Sequence, residues 1–382
     1  MKDNCSQNSD MRFTRHYYSL PSSTRTADLS VSLFFSGGPV HNAPVEPRYC
    51  RCLRLFWPTW SGQTHRYNVI VYTPCQIGQN RVIEVGRRGI AGCTRSNQSM
   101  KLGMNLFLWT GHVNQQHFPL FGALAQTGFD LIELPRSDYT PAETQQINAE
   151  LDALGLSRTV ATILDEHCNP ISPDPRIRQA ALEKLRADID LTAALGAEAL
   201  IGPIHSAHKQ FSGCGPGADE FSYCVDILRA AGEYAATLGI ELSVEFLNRF
   251  ECYFLNTCQQ ASELTRAIGL DNVGVLYDTH HAQIEEGNQG AAIKNNARDI
   301  NQIHISESHR GTPGTGTVDW VSVFEGLNSS AYNGRLVIEA FGTQDPSIAS
   351  AVNIWRNCFE SEEAVYRDGY RLIAGGIREE SK

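Results

Sequence analysis

From Met100 onward, hydrophobic and polar positions fall into one repeating pattern. Short apolar runs rich in β-branched residues alternate with longer stretches in which apolar residues recur every three or four positions. The short runs predict strands at Leu102 to Trp109, Phe129 to Leu134, Thr159 to Leu164, Ala199 to Ile204, Glu241 to Leu247, Val273 to Asp278, Gln302 to Ser306 and Leu336 to Ala340. Between them, PAETQQINAELDALG, PRIRQAALEKLRADIDLTAALG, EFSYCVDILRAAGEYAATLG and QQASELTRAIG predict amphipathic helices, and each of these ends in the Gly that stops a helix. A long last helix is predicted from Ser347 to Ala374. Strands that are apolar on both faces belong to a parallel sheet covered by helices. Eight strand-helix units between residues 100 and 382 suit a closed α/β architecture, a (β/α)8 TIM barrel, better than an open sheet.

The first 99 residues lack this order. They show neither helical nor strand periodicity and are rich in Ser, Thr, Pro, Arg and Cys, so a disordered N-terminal extension, or a segment outside the functional protein, is expected. The division expected is therefore 1–99 as extension and 100–382 as barrel, with Met100 as the expected start of translation and a targeting or regulatory arm as the rival reading.

Charge follows the same division. Residues 1–99 hold 12 basic and 5 acidic residues, a net of +7, and the remainder holds 20 basic and 37 acidic, a net of -17. Overall the chain carries -10, which argues against nucleic-acid partners, because a phosphate backbone rewards clustered Lys and Arg. An electroneutral or metal-chelated small substrate fits better. The 11 Cys are scattered with no CxxC pair, which suggests neither a zinc ribbon nor a disulfide framework and is simplest to read as reduced thiols in a cytoplasm. No run reaches the roughly 18 apolar residues of a membrane helix, and no signal-peptide pattern opens the chain.

Candidate chemistry sits at the ends of the last four predicted strands: Glu245 in SVEFLNR, Asp278 in LYDTHH, His304 in QIHISES and Glu339 in LVIEAF. Their separations of 33, 26 and 35 residues each match one strand-helix unit, so all four converge on the barrel mouth. Any one of them alone is more readily a helix cap or hydrogen-bonding partner, but four in successive registers point to a site. Three carboxylates and one imidazole suit Mn2+, Co2+ or Mg2+ better than a structural zinc, and they leave an acid and a base to move protons. No organic cofactor is called for. DEHC at 165–168 and the pair His205 and His208 are expected to line loops rather than to form a second metal site. GTPGTG at 311–316 lacks the Lys of a phosphate loop and is expected to be a flexible turn, and GCGPG at 213–217 a loop.

EFLNRFECYFLNT (245–257), YDTHHAQIEE (277–286), HISESHRGTPGTGTVDW (304–320) and VIEAFG (337–342) closely resemble the ketose 3-epimerases of the D-tagatose 3-epimerase and D-psicose (D-allulose) 3-epimerase family, within the xylose isomerase-like barrels. The resemblance runs from Lys101 to about Gly375 and leaves out the first 99 residues. It implies that Glu245, Asp278, His304 and Glu339 bind a divalent metal, usually Mn2+ or Co2+, and that Glu245 and Glu339 are the catalytic pair. Epimerisation beside a ketone requires loss of a weakly acidic C3 proton, and an ion chelated by O2 and O3 would stabilise the resulting cis-enediolate. One carboxylate would take the proton from one face while the other returns one to the opposite face.

The resemblance further implies that Glu251, His281 and Arg310 bind the O1 to O3 end of the ketose. Without it, Arg310 and Glu251 read equally as a surface salt bridge and His281 as a capping or supporting residue. Trp109 and Phe341 are candidates to pack on the sugar, with barrel-rim packing as the alternative, and Glu133 is a polar support. The loops LFLWTGHV and IGPIHSAHKQFSG depart from the best-known epimerases, so the resemblance implies free ketoses of the D-tagatose, D-psicose, D-fructose or L-ribulose type without choosing one. Rival readings are a hydroxypyruvate isomerase or inositol-pathway enzyme, not expected to carry NRFE, DTHH and SHRG together, and an endonuclease IV-like repair enzyme, whose Asp-x-His pair after the seventh-strand His is here Arg310 and a Gly-rich turn and whose DNA the acidic barrel would repel. Family members are commonly homodimers or homotetramers, and the same is expected here.

Overall fold

The computed structural model describes residues 100–377. The expectations for residues 1–99 lie outside the described residues. Within them, eight parallel strands close into a barrel in chain order: β1 Lys101–Asn105, β2 Leu131–Pro135, β3 Ser157–Ala161, β4 Ala199–Gly202, β5 Glu241–Glu245, β6 Val273–Asp278, β7 Ile300–Ile305 and β8 Arg335–Ile338. The ring is completed by β1 pairing with β8. The helices are α1 Phe118–Thr127, α2 Pro141–Ala153, α3 Pro175–Ala194, α4 Ala218–Thr237, α5 Cys258–Ile268, α6 Thr279–Glu285, α7 Gln289–Asn296, α8 Trp320–Asn328, α9 Pro346–Ala351 and α10 Glu362–Gly376. Among the described residues, no helix is long and apolar enough to cross a membrane, and Cys168, Cys214, Cys224, Cys252, Cys258 and Cys358 are free thiols.

Local chemistry sets the helix starts. Thr140 and Glu143 form a reciprocal capping box ahead of Pro141 at the first position of α2, and Thr257 and Gln260 do the same for α5. Gly128 and Gly269 end α1 and α5 in the left-handed conformation that side chains resist. At the end of β4, Gly202 has φ +128 and lies so close to the carbonyl of Thr162 that a Cβ would fall 2.1 Å from it, so only glycine fits. The strands are buried almost throughout, and the main apolar core fills the space between barrel and helices, with Phe121, Leu185, Leu228, Leu264 and Ile293 contributed by the helical ring.

Two expectations need correction. The first strand stops at Asn105 instead of reaching Trp109, because the Asn105 side-chain carbonyl accepts from the Phe107 amide at 2.7 Å and turns Leu106–Leu108 into a short 3-10 helix. The last helix is two helices. Asp345 caps Pro346–Ala351, Asn353 adopts φ 57, and the chain restarts only at Ser361, whose hydroxyl caps α10. The strands β3, β4, β5 and β8 also end two or three residues earlier than their apolar runs, so Glu339 stands just past its strand.

Candidate active site

The four strand-end residues meet. Glu245 closes β5, Asp278 closes β6, His304 lies one residue from the end of β7, and Glu339 follows β8 directly. Register does the alignment: Asp278 lies opposite His304, and His304 opposite Val337. All four are buried, and each offers a ligand atom within 4.8 Å of the others. For Asp278 the bland expectation also holds, since its Oδ1 caps α6 through the His280 amide at 2.7 Å while Oδ2 is left for the site.

The set fits a divalent cation by its donors and by its charge. His304 presents Nε2 to Glu133 Oε1 at 2.8 Å, and Nδ1 finds no hydrogen-bond partner among the described residues, although Glu339 Oε1 is 3.3 Å away. A buried imidazole nitrogen beside three carboxylates is a donor set that suits a divalent cation. Burial, with Glu339 and Asp278 beside it, pushes the Glu245 carboxyl well above the usual range. Burial likewise raises Asp278 to about 6, against the pull of Arg310. Burial works the same way on Glu339, but His304 and Arg310 outweigh it and hold that carboxyl below the ordinary range. Burial opposes charge on His304 as well, yet Glu339 and Glu133 raise its pKa well above normal. Two glutamates in one cluster are thus driven apart, one toward the acid form and one toward the base, the arrangement that acid/base catalysis requires.

Arg310 belongs inside this cluster. Its Nη1 donates to Asp278 Oδ2 and to Glu339 Oε2, both at 2.6 Å, and to Ser306 Oγ at 3.0 Å, while Nη2 lies 2.9 Å from His281 Nε2. The alternative of a surface salt bridge with Glu251 is overturned: Arg310 is buried and its ion pairs run to two of the expected metal ligands. Its backbone has φ 61, a conformation costly for a residue that carries a Cβ, and is held there by the Phe341 amide donating to its carbonyl at 2.9 Å.

His281 and Glu251 form the adjoining wall. Asn248 donates from its backbone amide (3.1 Å) and side chain (2.8 Å) toward His281 Nδ1, which leaves Nε2 turned to Arg310 and 3.6 Å from both Glu245 and Asp278. Glu251 is held by Asn248 Nδ2 at 2.9 Å and His208 Nε2 at 3.0 Å. His280 turns away, with Nδ1 3.0 Å from the Ser308 carbonyl, and burial lowers its pKa to about 3. Among the described residues, the only His, Cys, Asp and Glu groups gathered closely enough for an ion are the quartet and the set Glu251, His280 and His281. No such group forms from Asp165, Glu166, His167 and Cys168, and His205 is buried against Ser206 and Phe254.

Of the two aromatic candidates, Phe341 faces the site, with the Arg310 guanidinium 5.2 Å over its ring. Trp109 has its ring 6.4 Å from that of Tyr366 on α10. Sequence reasoning missed Phe107, which stacks on Phe341 at 6.1 Å, and missed the supporting roles of Asn248 and His208. Phe107 was hidden by reading β1 four residues too far past Asn105. The turn GTPGTG is anchored, against expectation: the Glu307 carboxylate accepts from the amides of Ser308 (2.8 Å), Gly314 (2.9 Å) and Val318 (3.1 Å) and from Trp320 Nε1 (3.0 Å).

Comparison with known proteins adds to this geometry. Residues 121–373 match the family described as xylose isomerase-like TIM barrel. The chain is 33% identical over 267 residues to a ketose 3-epimerase of Arthrobacter globiformis, covering 69% of this chain and 92% of that protein. It is 30% identical to an L-ribulose 3-epimerase of Mesorhizobium japonicum, covering 72% of this chain and 94% of the relative. A solved structure of L-ribulose 3-epimerase superposes with a TM-score of 0.67 at 29% identity, covering 73% of this chain and 94% of that one.

Proposed function

Since this chain belongs to the ketose 3-epimerase family of xylose isomerase-like TIM barrels, we propose that it inverts C3 of a free ketose with the help of a bound divalent cation. It is an isomerase-class enzyme, an epimerase. The observation that carries the mechanism is that Glu245 and Glu339 share one 4.8 Å cluster while standing on β5 and just past β8, strands separated by two others in the closed barrel. They therefore reach a bound carbon from different sides.

Glu245, Asp278, His304 and Glu339 would hold the cation, with Mn2+ or Co2+ the best match to an oxygen-rich set with one imidazole. When bound, it supplies positive charge beside the ketose oxygens as negative charge develops on them. The residues of the chain do the rest. In one direction, Glu339 takes the C3 proton, and the electron pair of that C–H bond moves onto the C2–C3–oxygen system as a cis-enediolate. Glu245 then delivers a proton to the other face of C3, and the two exchange roles in the reverse direction. Arg310 and His281, with Glu251 fixed by His208 and Asn248, orient the O1 to O3 end, and Phe341 backed by Phe107 offers an apolar wall to the sugar.

The test is product identity. Protein reconstituted with Mn2+ is given D-fructose, D-psicose, D-tagatose and L-ribulose separately, and products are resolved by chromatography. C3 epimers are expected from at least one of these ketoses. Aldoses as the sole products would favour a sugar isomerase on the same fold, and no product from any of them would sink the free-ketose reading.

A further inference from the structure

We propose that Glu133 is a positioning residue for the metal centre: its buried carboxylate fixes the His304 ring with Nε2 carrying the proton and Nδ1 directed at the cation. The inference rests on the metal-dependent reading above. Glu133 is the third residue of β2 and is wholly shielded from solvent. A carboxylate so placed costs several kcal/mol unless its oxygens are filled with donors. They are filled from four side chains of the barrel interior: Oε1 takes Asn105 Nδ2 of β1 and faces His304 Nε2 of β7, both at 2.8 Å. Oε2 takes Thr159 Oγ1 of β3 at 2.8 Å and Gln302 Nε2 of β7 at 2.5 Å.

An ionised carboxylate only accepts, so each partner must donate. His304 Nε2 therefore bears its proton toward Glu133, and Nδ1, 3.3 Å from Glu339 Oε1, is the nitrogen turned toward the ligand cluster. Gln302 Nε2 also lies 3.2 Å from His304 Nε2, but its shorter contact is the 2.5 Å bond to Glu133, and His304 Nε2 is nearer to Glu133 at 2.8 Å. Gln302 Oε1 accepts from Arg335 Nε at 3.0 Å, which turns its NH2 group to Glu133. Arg335 is itself clamped at the opposite end of the barrel by Glu241 (2.8 Å) and Glu198 (3.3 Å). A hydrogen-bonded line thus runs through the barrel from that end to the metal ligand. Asn105, which also reaches Glu339 Oε1 at 3.4 Å, ties a second ligand to the same network. Asn105, Thr159 and Gln302 alone would satisfy a carboxylate with only a structural task. Its fourth acceptor position is spent on a ligand histidine, the carboxylate-imidazole-metal arrangement that orients metal sites generally.

The experiment measures Mn2+ binding, not turnover. Wild-type protein and Glu133→Gln are stripped with a chelator and titrated with Mn2+ by calorimetry. Wild type should bind one ion per chain, and Glu133→Gln should bind it about 10- to 100-fold more weakly, whereas a variant within about twofold of wild type would overturn the proposal. A wild type that binds no ion would remove the metal reading and this inference together, which separates the two failures. Should the variant not fold, 15N NMR of the histidine rings in zinc-loaded wild type decides: a proton on His304 Nε2 with Nδ1 ligated is expected, and a proton on Nδ1 overturns the assignment.

Discussion

Asp188 on α3 and the carboxylates at the barrel mouth are equally hidden from solvent, yet they are surrounded in opposite ways. Asp188 has two cations, Arg136 at 2.8 Å and the neighbouring Lys184 one helical turn away, with Thr162 Oγ1 donating at 2.7 Å. Glu245, Asp278 and Glu339 share the Arg310 guanidinium and the His304 imidazole among three carboxylates, while burial and Arg310 hold the nearby His281 neutral. The first group is over-supplied with positive charge and asks for nothing more. The second is short of it, so burial and mutual repulsion push Glu245 and Asp278 upward. Burying an acid is therefore no sign of chemistry by itself. A buried acid cluster left deficient in positive charge is one.

The comparison can be broken most severely by removing the cation. Chelation should abolish epimerase activity and Mn2+ or Co2+ should restore it. Saturation at about 100 times Kd should stabilise the folded protein by about 2.7 kcal/mol, read as a rise in denaturation midpoint. A chelated protein that keeps its activity and its midpoint would mean that the mouth is not short of charge.

Next in size are the acids themselves. Glu245→Gln and Glu339→Gln should each lower kcat by about 10^2- to 10^4-fold, the range lost with a general acid or base, while metal-free Glu245→Gln melts no lower than wild type because repulsion is relieved. Asp188→Asn should do the reverse. Steady-state kinetics should be unchanged while stability falls by about 1–3 kcal/mol, since Arg136 and Lys184 lose their acceptor but keep some access to water. If Asp188→Asn damages kcat, or Glu245→Gln damages only stability, the contrast is false.

Glu307 is an intermediate case, a buried carboxylate served by neutral donors only. Burial raises its pKa, but the three amides and the Trp320 indole outweigh this and hold it below the ordinary value of 4.5. A carboxyl depressed on folding adds stability above its unfolded pKa and loses it as pH falls through the folded value. Glu307→Gln should therefore cost about 1.5–3 kcal/mol near neutrality, and the gap from wild type should close in acid. Denaturant unfolding across the acid range checks both size and sign. The smallest effect is expected for His208→Ala, which removes one of the bonds holding Glu251: KM for the ketose should rise by about 3- to 10-fold with kcat little changed.

Much of this was legible in the chain because barrel chemistry clusters at strand ends, where an acid or imidazole interrupts an apolar run. Glu245, Asp278, His304 and Glu339 stand out for that reason, and parallel register carries them together. What the chain hid were partnerships across distant segments. Arg310 and Glu251 look like a rim pair by their charges, but the left-handed backbone at Arg310 turns its guanidinium inward to Asp278 and Glu339. Phe107 was concealed by a turn that begins with the side chain of Asn105, which no apolar pattern reports. Glu133 showed itself only as an acid inside an apolar strand. Its partners come from β1, β3 and β7, and only closure of the barrel brings them within reach.

The central claim, that two carboxylates exchange protons with C3 of a ketose, is tested most directly in D2O. Protein loaded with Mn2+ is incubated in D2O with the ketose it turns over, and the sugars are recovered and examined by NMR. The account predicts deuterium at C3 of the epimerised product and none at other carbons. An epimer whose C3 still carries the original hydrogen, or label at C1 alone, would contradict it.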